Sequence, residues 1–532
     1  MLRLDSFFSG KIDKTAKRKA ENRRERAVGK KVEELNRELS GEAVSASLRK
    51  NVETLKRLFS DVDVLVVRFV RNNRDGALQF CIAYCDGVVN SALMNDSVLK
   101  PLMLSGACKA GPELADSLIR DVLQVNEAEK ADGFQKIVEA VTYGDTVLFA
   151  EGCPQAVLLN TKGFRTRGLT EPDNEKNLSG PREGFNESLL QNLSLIRRKM
   201  RTNELKMKYL TLGRITKTKA CVCYVDRLVN PRILDELYRR LGKIDIDGLL
   251  DTNYITELIR DFPFSPFRTT GYSERPDVVV GRLLEGRIAV FLDGTPDVLT
   301  VPYLFIENFQ SSEDYYLSFF YTSVARALRI IGFFLTVTVP AAYITVVAYH
   351  HEILPTALIV NIANERKNVP LPAAAEAYLM LAVFDILRET GVRMPSNVGQ
   401  ALSIVGALVV GQAAVDAKLV AAPMIIVVAL TGITSLLIPK MNAPIIYLRV
   451  FLLTLATAFG LFGFILGGAV MAIHIMHLHS FGVPQVALTG SLRYQEVKDT
   501  WFRGPWWAMR TRGVPSVAED RVRMRGGGGK KP

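Results

Sequence analysis

Tyr84-Cys85-Asp86-Gly87-Val88-Val89-Asn90 returns 140 residues later as Tyr224-Val225-Asp226-Arg227-Leu228-Val229-Asn230. A second pair follows in the same order at an offset of 142: Gly144 with Phe149-Ala150-Glu151-Gly152-Cys153-Pro154, then Gly286 with Phe291-Leu292-Asp293-Gly294-Thr295-Pro296. Two ordered matches at nearly one offset describe a duplication. Each copy starts with an apolar strand (80–84; 220–225) and passes through amphipathic helical sequence. Each ends in a hairpin (147–150 with 156–159; 288–292 with 298–301) whose turn carries an acid next to glycine. The reading is two tandem α/β subdomains. Gly and Pro flank Glu151 and Asp293, so the turns account for both acids without catalysis.

Around this pair the chain divides into a charged extension (1–46), subdomain 1 (47–164), a linker with a helix (165–204), subdomain 2 (205–325), a transmembrane domain (326–482) and a basic tail (483–532). The 532 residues carry a net charge of +12, 48% hydrophobic residues and a mean hydropathy of +0.13, which disfavours a wholly soluble or disordered chain. The charge sits at the ends. Residues 1–50 hold 14 Lys/Arg against 8 Asp/Glu, residues 493–532 hold 10 against 4, and the rest is neutral. Basic ends suit nucleic acid or an anionic membrane. Membrane sequence in the same chain favours lipid, and no nucleic-acid partner is expected.

No secretory signal precedes the first half, which predicts a cytoplasmic location and reduced thiols for the six cysteines, all before residue 224. Their spacing suits buried strand positions better than zinc. Walker, GxGxxG, GxSxG, HExxH and kinase patterns are missing, so no enzyme and no cofactor are expected.

The first expected span is Leu328–Tyr349, whose last 20 residues carry no charge, enough to cross a ~30 Å hydrocarbon layer. Three more are 398–415, 419–438 and 445–478, the last holding Arg449, which is expected to snorkel to the interface. Residues 353–364 and 371–387 read as re-entrant or interfacial. Arg326 and Arg329 before the first span and ten basic residues after the last place both ends on one cytoplasmic face, giving four crossings, or five if 371–387 spans.

Gly399, Ser403, Ala407 and Gly411 form a small-residue stripe for helix packing. Asn397, Gln400, Gln412 and Asp416 add polar groups unsuited to lipid, making this helix a candidate pore lining. Glu376 and Asp385 are candidate intramembrane carboxylates for cations. Arg388, Arg393 or Lys418 would neutralise Asp385 and Asp416, whereas Glu376 has no basic neighbour in sequence. His474, His477 and His479 suit an interface better than a metal. Trp501, Trp506 and Trp507 read as an interfacial anchor.

Further motifs run in order through the chain. They are Leu169-Thr170-Glu171-Pro172, Arg182-Glu183-Gly184-Phe185, Glu274-Arg275-Pro276-Asp277, Asp314-Tyr315-Tyr316, Leu354-Pro355-Thr356-Ala357, Val369-Pro370, Leu387-Arg388-Glu389, Gly411-Gln412-Ala413-Ala414-Val415 and Ser480-Phe481-Gly482-Val483-Pro484. Together with Lys498-Asp499-Thr500 and Pro505-Trp506-Trp507 they resemble the GerA family of spore germination proteins, specifically its A subunit. The resemblance covers residues 47–510. It departs at Leu317-Ser318, where a basic residue is usual, and at Gln485, where an aromatic is usual.

The resemblance implies a multi-pass protein of the bacterial endospore inner membrane, with both termini on the spore core side. It also implies a B subunit of transporter-like fold and a lipoprotein C subunit as partners. The A subunit would oligomerise into a nutrient-gated channel that releases monovalent cations. A stage V sporulation-type paralogue is the alternative within the superfamily. A secondary transporter is the alternative of another class, and it would require inverted repeats in the membrane half.

Overall fold

The apolar runs of the first half pair into two sheets of identical plan. The computed structural model describes residues 42–74, 76, 78–105, 111, 113–163, 175, 179–393, 409–486, 499–512, 517–518, 520 and 522–523. Unit 1 contains helix α1 (Leu48–Leu58), strands β1 (Leu65–Arg71), β2 (Gln79–Cys85) and β3 (Ala128–Ala131), helix α2 (Phe134–Tyr143), and strands β4 (Thr146–Ala150) and β5 (Ala156–Leu159). Unit 2 repeats them as α3 (Leu189–Lys199), β6 (Leu205–Leu212), β7 (Thr218–Val225), β8 (Gly271–Ser273), α6 (Pro276–Leu283), β9 (Ile288–Leu292) and β10 (Val298–Val301), with α4 (Pro231–Leu241) and α5 (Thr252–Ile259) between β7 and β8 where unit 1 has helical segments at 91–104 and 114–122.

The sheet orders are β1-β2-β4-β5-β3 and β6-β7-β9-β10-β8, with antiparallel pairing throughout. Even the register repeats: Cys81 faces Phe149, and Cys221 faces Phe291. Every residue of β4 and of β9 is buried, because helices and the other unit cover both sheet faces. The duplication is therefore a fact of the fold.

The two turn acids have structural work in both copies. Glu151 accepts the N–H of Leu48 at 2.9 Å, and Asp293 accepts that of Leu189 at 3.0 Å, so each carboxylate caps the first helix of its unit. Asn51 and Asn192 close matching loops: each side chain accepts the N–H and donates to the carbonyl of the residue six before it. The helix that sequence places in the linker thus holds in unit 2 the position of α1. The units are joined where residues 61–63 pair with β6: Asp63 N–H donates to Met207 O at 2.9 Å and Met207 N–H to Asp61 O at 3.2 Å. Cys81, Cys85, Cys221 and Cys223 are free, buried thiols, Cys153 is buried as well, and burial pushes Cys81 up to about 12.

The second half is helical: α7 (Phe319–Ile344), α8 (Thr356–Arg366), α9 (Ala373–Arg393), a turn of helix at 409–416, α10 (Ala422–Leu436) and α11 (Asn442–His477). Among the described residues two stretches are long and apolar enough to cross a membrane, Phe319–Tyr349 and Pro439–His477. The second is not one rod. Gly460 has φ 58° and ψ −135°, a conformation that glycine alone adopts freely. A Cβ on Gly467 would lie 2.8 Å from the Leu452 side chain, which a straight helix puts ~22 Å away. The expected single span at 445–478 is therefore a hairpin with arms 442–459 and 461–477.

Contacts give the helix directions. Thr336 of α7 bonds Thr434 of α10 at 2.7 Å, and Ile344 packs with Met424, so these helices are antiparallel. Tyr349, after the end of α7, packs on Gly460 at the hairpin tip. Met441 and Leu478, at the hairpin's two ends, share a cluster with Phe267 and Phe309 of unit 2. α7 thus leaves unit 2, the first arm leaves with it, and α10 and the second arm return.

Candidate functional site: buried charge in the helical region

Three groups converge on Glu376, which is fully buried. It lies in the first turn of α9, where the helix dipole favours negative charge. Arg366, the last residue of α8, brings its Nη2 to 3.2 Å. The N–H of Ala421, at the N-cap of α10, donates at 3.0 Å. The basic partner that sequence does not show nearby is thus ten residues away, brought in by the turn between α8 and α9. A carboxylate between two helix N-termini and a guanidinium is strongly held, and it ties three helices together.

Asp385, nine residues further along α9, pairs with Arg449 of the first hairpin arm. Arg449 is 1% exposed, so it does not snorkel; it spends its charge on Asp385 inside the bundle. Arg388 donates instead to the hydroxyl of Ser435 on α10. Arg393 pairs with Glu389 on its own helix.

Of the stripe and its amides, Gly411, Gln412 and Asp416 are described. Gly411 is buried with room for a Cβ 3.7 Å from Ile425, a packing contact within the subunit. Gln412 and Asp416 of the same short helix are exposed. Asn397, Gly399, Gln400, Ser403 and Ala407 lie outside the described residues. Glu376 and Asp385 occupy separate sites about 14 Å apart along the helix.

A third cluster, at the foot of α7, brings the flanking charges Arg326 and Arg329 together with motif residues Asp314, Tyr315 and Asp499, a meeting that sequence order does not show. Asp314 accepts from Arg326 at 3.2 Å and from Arg329 at 3.0 Å. Arg326, with no exposed surface, also reaches Asp499 at 3.2 Å, and the Tyr315 hydroxyl donates to Asp499 at 2.9 Å. Burial pushes the Asp499 carboxyl up, and Arg326 opposes the shift. The Asp-Tyr-Tyr motif was the available signal: it supplies both the acid and the phenol. Trp506 packs on Tyr315 beneath the Arg503 guanidinium, while Trp501 and Trp507 stay partly exposed beside them. His474 shares a 2.9 Å hydrogen bond with Ser265 of unit 2, and His477 and His479 pack on Phe262. These histidines join the hairpin to unit 2.

A family model described as "Bacillus/Clostridium GerA spore germination protein" matches residues 53–514. The chain belongs to the GerA family. It is 38% identical over 484 residues to spore germination protein KA of Bacillus subtilis (strain 168), covering 90% of this chain and 89% of that protein. An uncharacterized membrane protein of the same organism, YfkQ, is 39% identical over 471 residues, 88% of this chain and 91% of its own length. Spore germination protein GerLA of Bacillus cereus is 35% identical, covering 74% and 80% respectively. Among solved structures, the N-terminal domain of the A subunit of the Bacillus megaterium spore germinant receptor GerK3 matches with a TM-score of 0.37 and 28% identity. It covers 50% of this chain and 98% of that one.

Proposed function

We propose that this GerA-family chain is the A subunit of a spore nutrient germinant receptor in the endospore inner membrane, working with B and C subunits. Copies of it surround a path for monovalent cations. One observation carries the channel reading: Gln412 and Asp416 stay exposed on a helix of an otherwise apolar bundle, where lipid would penalise them. Neighbouring copies around a water-filled path relieve that cost. The Glu376 and Asp385 pairs hold the helices behind this surface, and a nutrient signal from a partner shifts the assembly by favouring its open state.

The helix directions support six crossings. α7 and the first hairpin arm lead away from unit 2, and α9, α10 and the second arm lead back. α9 ends on the near side and Gly411 lies on the far side, and the count of six includes a return through 394–408, which lie outside the described residues. The even count keeps both termini on the spore core side, with Trp501, Trp506 and Trp507 as the anchor at that face.

Flux of K⁺ or Na⁺ in liposomes, with and without the other subunits, tests this reading. Passive flux is expected, with Gln412→Leu changing its rate without loss of assembly. Coupled, saturating transport would establish a carrier instead. A tag at Lys530 on the side opposite the soluble units would overturn the six crossings.

A further inference from the structure

The two units differ in one place that the duplication makes comparable. Unit 1 has an open groove of about 550 Å³ between β3, the end of α2 and β5, lined among others by Glu127, Glu129, Ala140, Asp145, Leu158 and Lys162. At the offset of 142, four of these positions are Gly271 (for Glu129), Arg282 (for Ala140), Arg287 (for Asp145) and Thr300 (for Leu158). In unit 2 the same groove is full. The chain leaving β10 lays Tyr303 to Glu307 into it, where Glu307 pairs with Arg287 and, at 3.3 Å, with Arg282. Arg282 also donates to Thr300, and Tyr303 sits over Gly271 so closely that a Cβ there would be 2.7 Å from its ring. Unit 2 thus has a cationic groove closed by an acidic segment of its own chain.

In unit 1 the chain leaving β5 takes another path: Lys162 forms a bridge with Val89, and Gly163 N–H donates to Val88 O at 3.0 Å. Among the described residues the groove stays open, and acid takes the place of its arginines. Ala140 and Asp145 replace the two arginines and Glu129 replaces the glycine, so that with Glu127 and Glu139 the acids outnumber Lys136, Lys162 and Arg201; Lys162 pairs with Asp145 at 2.9 Å, and Arg201 lies over the Tyr143 ring. The acidic excess, at the positions where unit 2 has arginines, suits a basic occupant in the place of Glu307.

The described chain begins beside this groove. Glu42 O accepts the N–H of Phe134 at 3.1 Å, and Ala43 bridges Gly133, at the start of α2. That helix is ~15 Å long and its far end lines the groove. Residues 1–41, which precede this point, hold twelve Lys/Arg and seven Asp/Glu. Arg37, Lys31 and Lys30 fall within reach, since five extended residues already span ~17 Å. We propose that the groove of unit 1 is the docking site for the basic N-terminal arm of the same chain, with Lys30, Lys31 or Arg37 taking, in reversed charge, the part Glu307 plays in unit 2.

The test is hydrogen exchange of residues 25–41 in the full-length chain in detergent. The arm's amides are expected to exchange at least tenfold faster after Glu127→Lys with Glu129→Lys, and to slow again when Lys30→Glu and Lys31→Glu are added. Exchange at β4 should stay unchanged as the folding control. Carbodiimide treatment of a mixture of ¹⁴N- and ¹⁵N-labelled wild-type protein should link Lys30 or Lys31 to Glu129 or Glu139 within single chains. Equal arm exchange in wild type and charge-reversed protein would overturn the proposal. So would links that form only between differently labelled chains, which mark a second copy as occupant. Protection that appears only with phosphatidylglycerol vesicles and ignores the groove charges would assign the arm to lipid. If the reversed variant does not fold, the wild-type links decide alone, and their absence rejects the docking.

Discussion

The two α/β units share strand order, register, a carboxylate-capped first helix and a glycine after α2 and α6, yet only unit 2 carries the helical region. The difference starts at the end of the last strand. After β5 the chain folds back along its own unit; after β10 it fills the groove, buries Glu307 and continues to Asp314 and the foot of α7. Unit 2's counterpart of the Val89–Lys162 bridge is made by the C-terminal tail, where Val229 pairs with Ala518. One scaffold was thus kept twice, and its exit was rebuilt once, with buried charge marking the rebuilt path.

The sharpest way to break this comparison is at the seam that unit 1 lacks. Arg326→Met leaves Asp314 and Asp499 facing each other in a buried site, and a loss of about 3–5 kcal/mol is expected. Thermal unfolding of the full chain should show it, together with faster hydrogen exchange at residues 499–512. Glu307→Ala should cost about 3 kcal/mol by leaving buried Arg287 only Glu285 at 3.5 Å and the Pro302 carbonyl, whereas Asp145→Ala at the equivalent of Arg287 should cost about 1 kcal/mol. Equal losses would mean that the filled groove is no more coupled to its unit than the open one.

The shared features should answer alike. Glu151→Ala and Asp293→Ala each remove one helix cap, and each should cost about 1 kcal/mol. A large difference between them would show that the copies no longer use the turn acid for the same purpose. A further contrast separates the hairpin turns: Asp297 of unit 2 is Gln155 in unit 1. Burial, reinforced by Glu274 and Asp251, pushes Asp297 from 3.8 up to about 6. Between those values the folded state keeps a proton that the unfolded chain has released, so stability falls as pH rises from about 4 to about 6 and stays lower above it. Asp297→Gln should therefore raise Tm at pH 7.5 and change it little at pH 4.

Much of the soluble fold was legible because duplication states the same pattern twice. The buried strands β2, β4, β5, β7, β9 and β10 show as apolar runs. β3 and β8 do not, since they are short edge strands, and β3 reads Ala-Glu-Lys-Ala. In the helical region, Glu376 and Asp385 were visible as acids in apolar sequence, but their partners were not. Arg366 and Arg449 come from other helices, and separation along the chain conceals such pairs. The hairpin at Gly460 was hidden as well, because the run of 34 residues is apolar throughout and nothing in its order singles out Gly460 from Gly463, Gly467 and Gly468 as the turn.

Sequence by itself determined the duplication, the apolar half, the basic ends and the family, since each is written in residue order and needs no partner. Tertiary structure decided which charges meet, where the last long helix turns back, and which of two equivalent grooves is filled. Those outcomes depend on side chains tens to hundreds of residues apart sharing one desolvated site, where an unpaired charge costs too much to leave alone.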